Sequence, residues 1–419
     1  MKKVINAIIL SLLTFLCSCN ENVVIDPIIK GDKQLTIYVA SDLHLLSNEL
    51  IGENNKLYIK ENMTSDGRIQ ELDYDIVNAF VDVINKDNPD YVILTGDLSF
   101  NGEISSHQEL IKLLKNITQS KVLVIPGNHD YNTMTYTYIN DKAEYSDVCW
   151  QEDFLKMYEE FGYSKAFSKD IESMSYFYKL DEHNYALMLD ATMSRYNDEM
   201  GMDLIGGNLE ESTLKWIEDN LKHAKENNKN VVSFMHHNLL MHSKLFNDGY
   251  TLYNNEKLLN LFEKYDVSLN ISGHLHIQHI EQTKVNDKTI YDIASNSMLD
   301  YGNRYGKLDI YDNCYEYQAI KLENDFNLEE KAFKTFYDKY YYKRLKTNES
   351  TYGKIFKEMT DFQSKVNCYY FDGDYEKIHQ LIDENKNLYR KIKYKGKDQY
   401  ILEIFKEEKM NHHYLLIEK

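Results

Sequence analysis

Five short polar clusters punctuate this chain, and each stands at the carboxyl end of an apolar run. They are Asp42-Leu43-His44, Gly96-Asp97, Gly127-Asn128-His129-Asp130, His236-His237 and Gly273-His274-Leu275-His276. The runs before them (35–40, 91–95, 122–125, 231–235 and 267–271) read as strands, and 91–95 and 122–125 are unbroken apolar runs, as expected of strands buried on both faces. Between them, apolar residues recur at helical spacing over 72–86, 109–117, 214–224 and 256–264, and 176–180 with 185–189 read as a strand pair. This strand–helix alternation predicts an α/β fold with a largely parallel sheet covered by helices. In such sheets functional groups collect in loops beyond the carboxyl ends of the strands, which is where all five clusters lie.

The side chains in the clusters are carboxylates, an amide and imidazoles, with no thiolate. That set suits Mn, Fe or Zn ions. Two residues apart on an extended segment, Asp42 and His44 would point the same way, as would His274 and His276. Neighbours at a strand end point to opposite sides, so only one of His236 and His237 is expected to ligate. Gly96, Gly127 and Gly273 suit tight turns that bring backbone close to a ligand.

In order and spacing, the clusters resemble the calcineurin-like metallophosphoesterase family, whose blocks run DxH, GDxxxxG, GNH[DE], a later His, and GHxH. The resemblance covers about residues 34 to 310, and "VASDLH", "GDLSFNGE", "MHHNL" and "SGHLH" look like the bacterial extracellular branch related to cyclic-nucleotide phosphodiesterases. The second block continues into Glu103 rather than Asp, which should leave metal binding intact. The resemblance implies a four-layer α/β/β/α sandwich with a small C-terminal helical domain. It further implies two divalent or trivalent metal ions. Asp42, His44 and His276 would hold one, Asn128, His236 and His274 the other, and Asp97 would bridge them. A hydroxide between the ions would attack phosphorus in line. His129 would act beside the metals as the acid. Asp130 would either orient that imidazole or shape the turn. His237 is expected to face substrate or to hydrogen-bond rather than ligate, and Asn101 to approach the substrate or form a turn. His107, His183, His223, His242 and His279 are expected to be structural or solvated.

The implied activity is phosphodiester hydrolysis, with a phosphomonoesterase or nucleotidase as the alternative on the same site. A binding protein that has lost turnover is the reading from a different class. The implied partner is a small phosphorylated substrate. The net charge of −19 argues against non-specific nucleic-acid binding and also opposes a phosphorylated substrate at long range, so bound cations would have to reverse the local field. No protein partner is inferred.

The ends carry separate signals. Lys2 and Lys3, the short apolar stretch 8–16 and Leu16-Cys17-Ser18-Cys19 read as a lipoprotein signal over 1–19, with Cys19 the lipidated residue. Residues 20–33 would be a tether, placing the protein outside the cytoplasm with a lipid anchor as its sole contact with the membrane. Residues 34–323 form the expected phosphoesterase domain. Beyond them, 329–345, 352–366 and 375–389 have helical spacing and predict a helical domain over 324–419, its tyrosines serving mainly as core. Cys149, Cys314 and Cys368 are too few and too far apart for a disulfide framework. The insertions 45–71, 131–147 and 239–253 are placed to choose the substrate.

Overall fold

The structure, a computed structural model, describes residues 28–52, 58, 67–246, 248–346, 354–395, 399–406 and 411–419. Cys19, the signal and most of the tether lie outside the described residues, as do much of the insertion 45–71 and Tyr352.

Strands β1 (Lys33–Ala40), β2 (Tyr91–Thr95) and β3 (Lys121–Ile125) lie side by side in parallel, with Ile37 opposite Tyr91 and Tyr91 opposite Lys121. Every residue of β2 is buried, which explains its unbroken apolar sequence. A separate hairpin, β4 (Tyr136–Ile139) and β5 (Lys142–Tyr145), occupies the 131–147 insertion. The second sheet contains β6 (Ser168–Lys169), β7 (Tyr176–Lys179), β8 (Asn184–Leu189), β9 (Asn230–Met235), β10 (Leu269–Ser272), β11 (His279–Val285) and β12 (Lys288–Ala294). Its order is β11-β12-β10-β9-β8-β7-β6. The chain then returns to the first sheet with β13 (Arg304–Tyr311) and β14 (Cys314–Lys321), and β15 (Tyr414–Glu418) closes its edge to give β15-β14-β13-β1-β2-β3.

The single, largely parallel sheet read from the alternation is therefore two mixed sheets. Each is parallel where its strands carry the clusters; the first turns antiparallel toward its β15 edge and the second toward both edges. The edge strands follow one another through short turns, such as Asn286-Asp287 between β11 and β12, and a short turn permits only antiparallel pairing.

The two sheets face each other. The Tyr91 hydroxyl donates to the Leu180 carbonyl at 2.6 Å and that of Tyr176 to Val124 at 2.9 Å. Helix Asp73–Asp87 buries Ile76, Phe80 and Ile84 against the first sheet, where Phe80 meets Tyr305 of β13 at 5.2 Å between ring centres. Helices Glu211–Glu226 and Asn255–Lys264 cover the second. This is the α/β/β/α sandwich. Helix Ile104–Leu114 begins before the expected 109–117 because Ser105, Ser106 and His107 hide its periodicity. Ser106 and His107 are nonetheless buried, with the His107 ring bonded to the Asp130 carbonyl and the Tyr158 hydroxyl.

The C-terminal region is helical over Leu328–Lys346, Lys354–Asp372, Tyr375–Glu384, Lys386–Lys395 and Gln399–Ile404. It packs directly on the last polar cluster: Leu275 and Ile277 share a core with Phe362, Val366, Tyr370 and Phe371. Its final residues form β15, antiparallel to β14 with Cys314 opposite Glu418. That strand was not anticipated, because its partner lies far upstream and no turn signal links them. Near the other end, Lys30 of the expected tether pairs with Glu316 of β14 at 2.5 Å. Among the described residues no helix is long and apolar enough to cross a membrane.

Candidate metal centre

The five loops are tied together by backbone hydrogen bonds. Asp42 N–H donates to Gly96 O at 3.0 Å, His44 N–H to Asp97 O at 2.9 Å, and Gly273 N–H to His236 O at 3.0 Å. Between the loops of the two sheets, His274 N–H donates to Asp42 Oδ2 at 2.9 Å. The segments are not extended, as the DxH and HxH spacing suggested. Asp42, His44, Asp97, His274 and His276 all have φ between 40° and 69°, the left-handed region that side chains rarely adopt. Such strain persists only where surrounding structure enforces it, and here it turns the side chains inward. Two glycines make room. A Cβ on Gly127 would lie 2.2 Å from Asp97 Oδ1, and one on Gly273 would lie 1.8 Å from Ser41 Oγ.

All seven expected ligand residues converge. His44 Nε2 lies 3.2 Å from His276 Nε2, and His236 Nε2 lies 3.2 Å from His274 Nδ1. Asp97 Oδ2 sits between the pairs, 3.6 Å from His44 Nε2 and 3.3 Å from His236 Nε2. Asp42 Oδ1 is 3.3 Å from His276 Nε2, and Asn128 Oδ1 is 3.1 Å from His236 Nε2. Asp42, His44, Asp97 and His276 form one group of ligand atoms within 4.8 Å of one another, and Asp97, His236 and His274 form the second.

The outer nitrogens decide what the inner ones can do. His276 Nδ1 bonds Asp300 Oδ2 at 2.9 Å, His236 Nδ1 bonds Thr95 O at 2.9 Å, and His274 Nε2 bonds Gly249 O at 3.1 Å. Each partner is an acceptor, so each outer nitrogen carries a proton and the inner nitrogen is the one turned to the centre. Against burial, the Asp97 charge raises His236 to about 9, so its inner nitrogen holds a proton against that carboxylate which a bound metal ion would displace. The donor set fits two metal ions sharing Asp97.

Charge supports this. Burial alone would raise the Asp97 carboxyl, but His236 and His129 outweigh it and hold it well below the usual carboxylate range. Burial keeps His44 and His274 well below the ordinary imidazole value, so both are neutral and able to ligate.

Residues 35–278 match the family model described as calcineurin-like phosphoesterase. The chain belongs to the calcineurin-like phosphoesterase family. It is a metal-dependent phosphoric ester hydrolase. A probable cyclic nucleotide phosphodiesterase of Coxiella burnetii is 25% identical over 308 residues, covering 73% of this chain and 94% of that one. A dimetal phosphatase from Danio rerio superposes with a TM-score of 0.52 at 14% identity, over 70% of this chain and 98% of the other, which shows a shared fold.

In this phosphoesterase the packed loops choose between the alternatives left open for the residues around the metal ligands. Asn101, expected to approach the substrate or form a turn, has its Oδ1 2.7 Å from His129 Nδ1 and orients that imidazole. Asp130 does not reach the ring. Its carboxylate accepts the backbone N–H groups of Gly127, Leu98 and Ser99 at 2.8 to 2.9 Å, tying the second and third loops together. Burial and the Asp97 charge push Asp130 up to about 7. His237 is fully buried and its Nε2 donates to Ile205 O at 3.1 Å, while the Gly207 backbone lies against its ring. Its ring packs behind the ligands, 4.6 Å from that of His274 between centres. His242 and His279 are buried in a chain that runs from Asp292 through His242 (3.0 Å) to His279 (3.0 Å), which stacks on His412.

The centre opens into a cavity of about 150 Å³ lined by His44, Asp97, Asn128, His129, His274 and His276. Five further lining residues come from segments with no motif: Arg68, Ile205, Phe246, Tyr250 and Phe371. Tyr250 leans on His274 with ring centres 4.7 Å apart. Phe371 belongs to the C-terminal helix Lys354–Asp372, so that region supplies part of the wall. The length of the 45–71 and 239–253 insertions was the one sequence signal for Arg68 and the two loop aromatics. Asp300 and Phe371 had none.

Proposed function

We propose that the protein is a phosphodiesterase acting on a cyclic nucleotide or a similar small diester, with Mn, Fe or Zn as its metals. The observation that carries this reading is the convergence of four imidazoles and two carboxylates on two adjoining groups that share Asp97. One ion would be held by Asp42, His44, His276 and Asp97, the other by Asn128, His236, His274 and Asp97. Bound there, the ions would supply charge neutralisation at phosphorus and activation of water. His129, held through Nδ1 by Asn101, would in its doubly protonated form give the Nε2 proton to the leaving oxygen and return to the neutral ring. Phe246, Tyr250 and Phe371 form an aromatic wall beside the centre that suits a nucleobase. The similarity to the named phosphodiesterase supports the same choice.

The test is turnover of 2′,3′- and 3′,5′-cyclic nucleotides, phosphodiester head groups and phosphomonoesters by protein loaded with Mn²⁺, with a chelated control. Faster hydrolysis of cyclic diesters supports the reading. Hydrolysis of monoesters alone would replace it with the nucleotidase alternative. Protein that takes up no transition metal would end both.

We also infer that Cys19 carries a lipid anchor outside the cytoplasm, on the basis of Lys2, Lys3, the apolar stretch 8–16 and the cysteine itself. Metabolic labelling with palmitate that persists in Cys19→Ala would overturn it.

A further inference from the structure

We propose that Arg68 is a phosphate-positioning residue: its guanidinium, entering from the 45–71 insertion, grips the non-bridging oxygens of an ester bound at the metal centre. This rests on the phosphodiesterase reading, but makes a separate claim about one side chain.

Arg68 lines the same small cavity as His44, Asp97, Asn128, His129 and His276. Among the described residues of that lining it is the one with a permanent positive charge. The need for such a charge is plain. The chain carries −19 overall, and Asp42 and Asp97 stand at the centre itself, so a phosphate approaches against a negative field. A guanidinium offers a planar pair of N–H donors that matches two phosphate oxygens, and it stays charged at every working pH.

Its position is also fixed from three sides. Gly67, at φ +124°, presses against Phe336 of helix Leu328–Lys346, where an added Cβ would lie 2.3 Å from the ring. Ile69 N–H donates to Leu299 O at 2.8 Å, and the Gln70 amide donates to His44 O at 2.7 Å, tying the segment to a metal-ligand loop. The guanidinium carbon lies 5.6 Å from the centre of the Phe100 ring, next to the Asn101 that holds His129. A long cationic side chain held this way loses little further freedom on binding an anion. The insertion thus contributes charge rather than a motif, and the C-terminal helices hold it in place through Phe336.

The test compares full-length wild type, Arg68→Gln and Arg68→Lys, each loaded with Mn²⁺. Binding of inorganic phosphate is measured by calorimetry, with metal content and Tm recorded for all three. Phosphate affinity is expected to fall about 10- to 100-fold in Arg68→Gln, as loss of a charged hydrogen-bonding partner implies, and less in Arg68→Lys. Metal content and Tm should hold, and KM for the ester should rise more than kcat falls. Phosphate affinity within twofold of wild type would overturn the proposal. So would equal losses in both variants accompanied by loss of metal, which would make Arg68 a scaffold residue. If Arg68→Gln does not fold, Arg68→Lys and its KM-to-kcat split decide alone. Wild type that binds phosphate through Arg68 yet hydrolyses no ester would sink the phosphodiesterase reading and leave this one standing.

Discussion

Asn101 Oδ1 lies 2.7 Å from His129 Nδ1, while Asn101 Nδ2 donates to the Met134 carbonyl at 2.5 Å. The second bond settles which end of the amide faces the ring, so the imidazole proton sits on Nδ1 and Nε2 is turned to other work. Removing the amide in Asn101→Ala should lower kcat roughly tenfold, the effect of losing one orienting hydrogen bond, with metal content unchanged. Asn101→Asp should shift the alkaline limb of the pH–rate profile upward, since a carboxylate favours the imidazolium. Steady-state kinetics with kcat unaltered in Asn101→Ala would remove Asn101 from the mechanism.

Asp300 stands behind His276, accepting from Nδ1 at 2.9 Å. Asp300→Ala should weaken metal affinity by about 10- to 100-fold, because the imidazole loses both its fixed tautomer and its orientation. Competition with a metal-sensitive dye reads this directly. Retention of wild-type affinity would mean that the ring is held by packing alone.

Glu103 gives a clean pH prediction. Its buried carboxyl is pushed from the ordinary 4.5 up to about 7, chiefly by burial, against hydrogen bonds from Asn101 and Ser106. A raised folded-state value favours the protonated form, so its stabilisation is complete below about 4.5 and is lost as pH rises through 7. Glu103→Gln cannot ionise. Relative to wild type it should gain on the order of 3 kcal/mol between pH 4.5 and 8. Parallel denaturant titrations at the two pH values measure the difference, and a constant gap would show that Glu103 is ionised throughout.

Deleting residues 324–419 should not leave a working domain. It would expose the β14 edge that β15 covers, uncover Leu275 and Ile277 beside the metal loop, and break the 2.5 Å Arg304–Asp372 pair. Aggregated or metal-poor protein is expected by light scattering and metal analysis. A soluble truncation with full turnover would show that the C-terminal region is independent of the site.

Much of the site was legible because its side chains are few, polar and set at strand ends, where sequence spacing maps onto space. The ligand spacing was readable even though its backbone was misjudged: Asp42, His44, His274 and His276 converge through left-handed turns, not extended segments. Asn101 and Asp130 were distinguishable by type but not by partner. Each had two plausible hydrogen-bonding targets, and only the packed loops chose between them. The first two strands read well, since a strand buried on both faces needs an unbroken apolar run. β15 did not, because five residues at the far end of the chain carry no sign of which edge they will cover.

The sequence by itself determined the chemistry: carboxylate, amide and imidazole in five blocks at strand ends, without thiolate, specify a two-metal phosphoesterase. Ligand identity is a local property of residue type and spacing, so it survives in one dimension. Tertiary structure alone decided what surrounds the metals. It brought Asp300 behind His276, Asn101 onto His129, and Arg68 and Phe371 into the cavity from an insertion and a C-terminal helix. These contacts join distant segments through packing and hydrogen bonds, and no spacing rule links their partners along the chain.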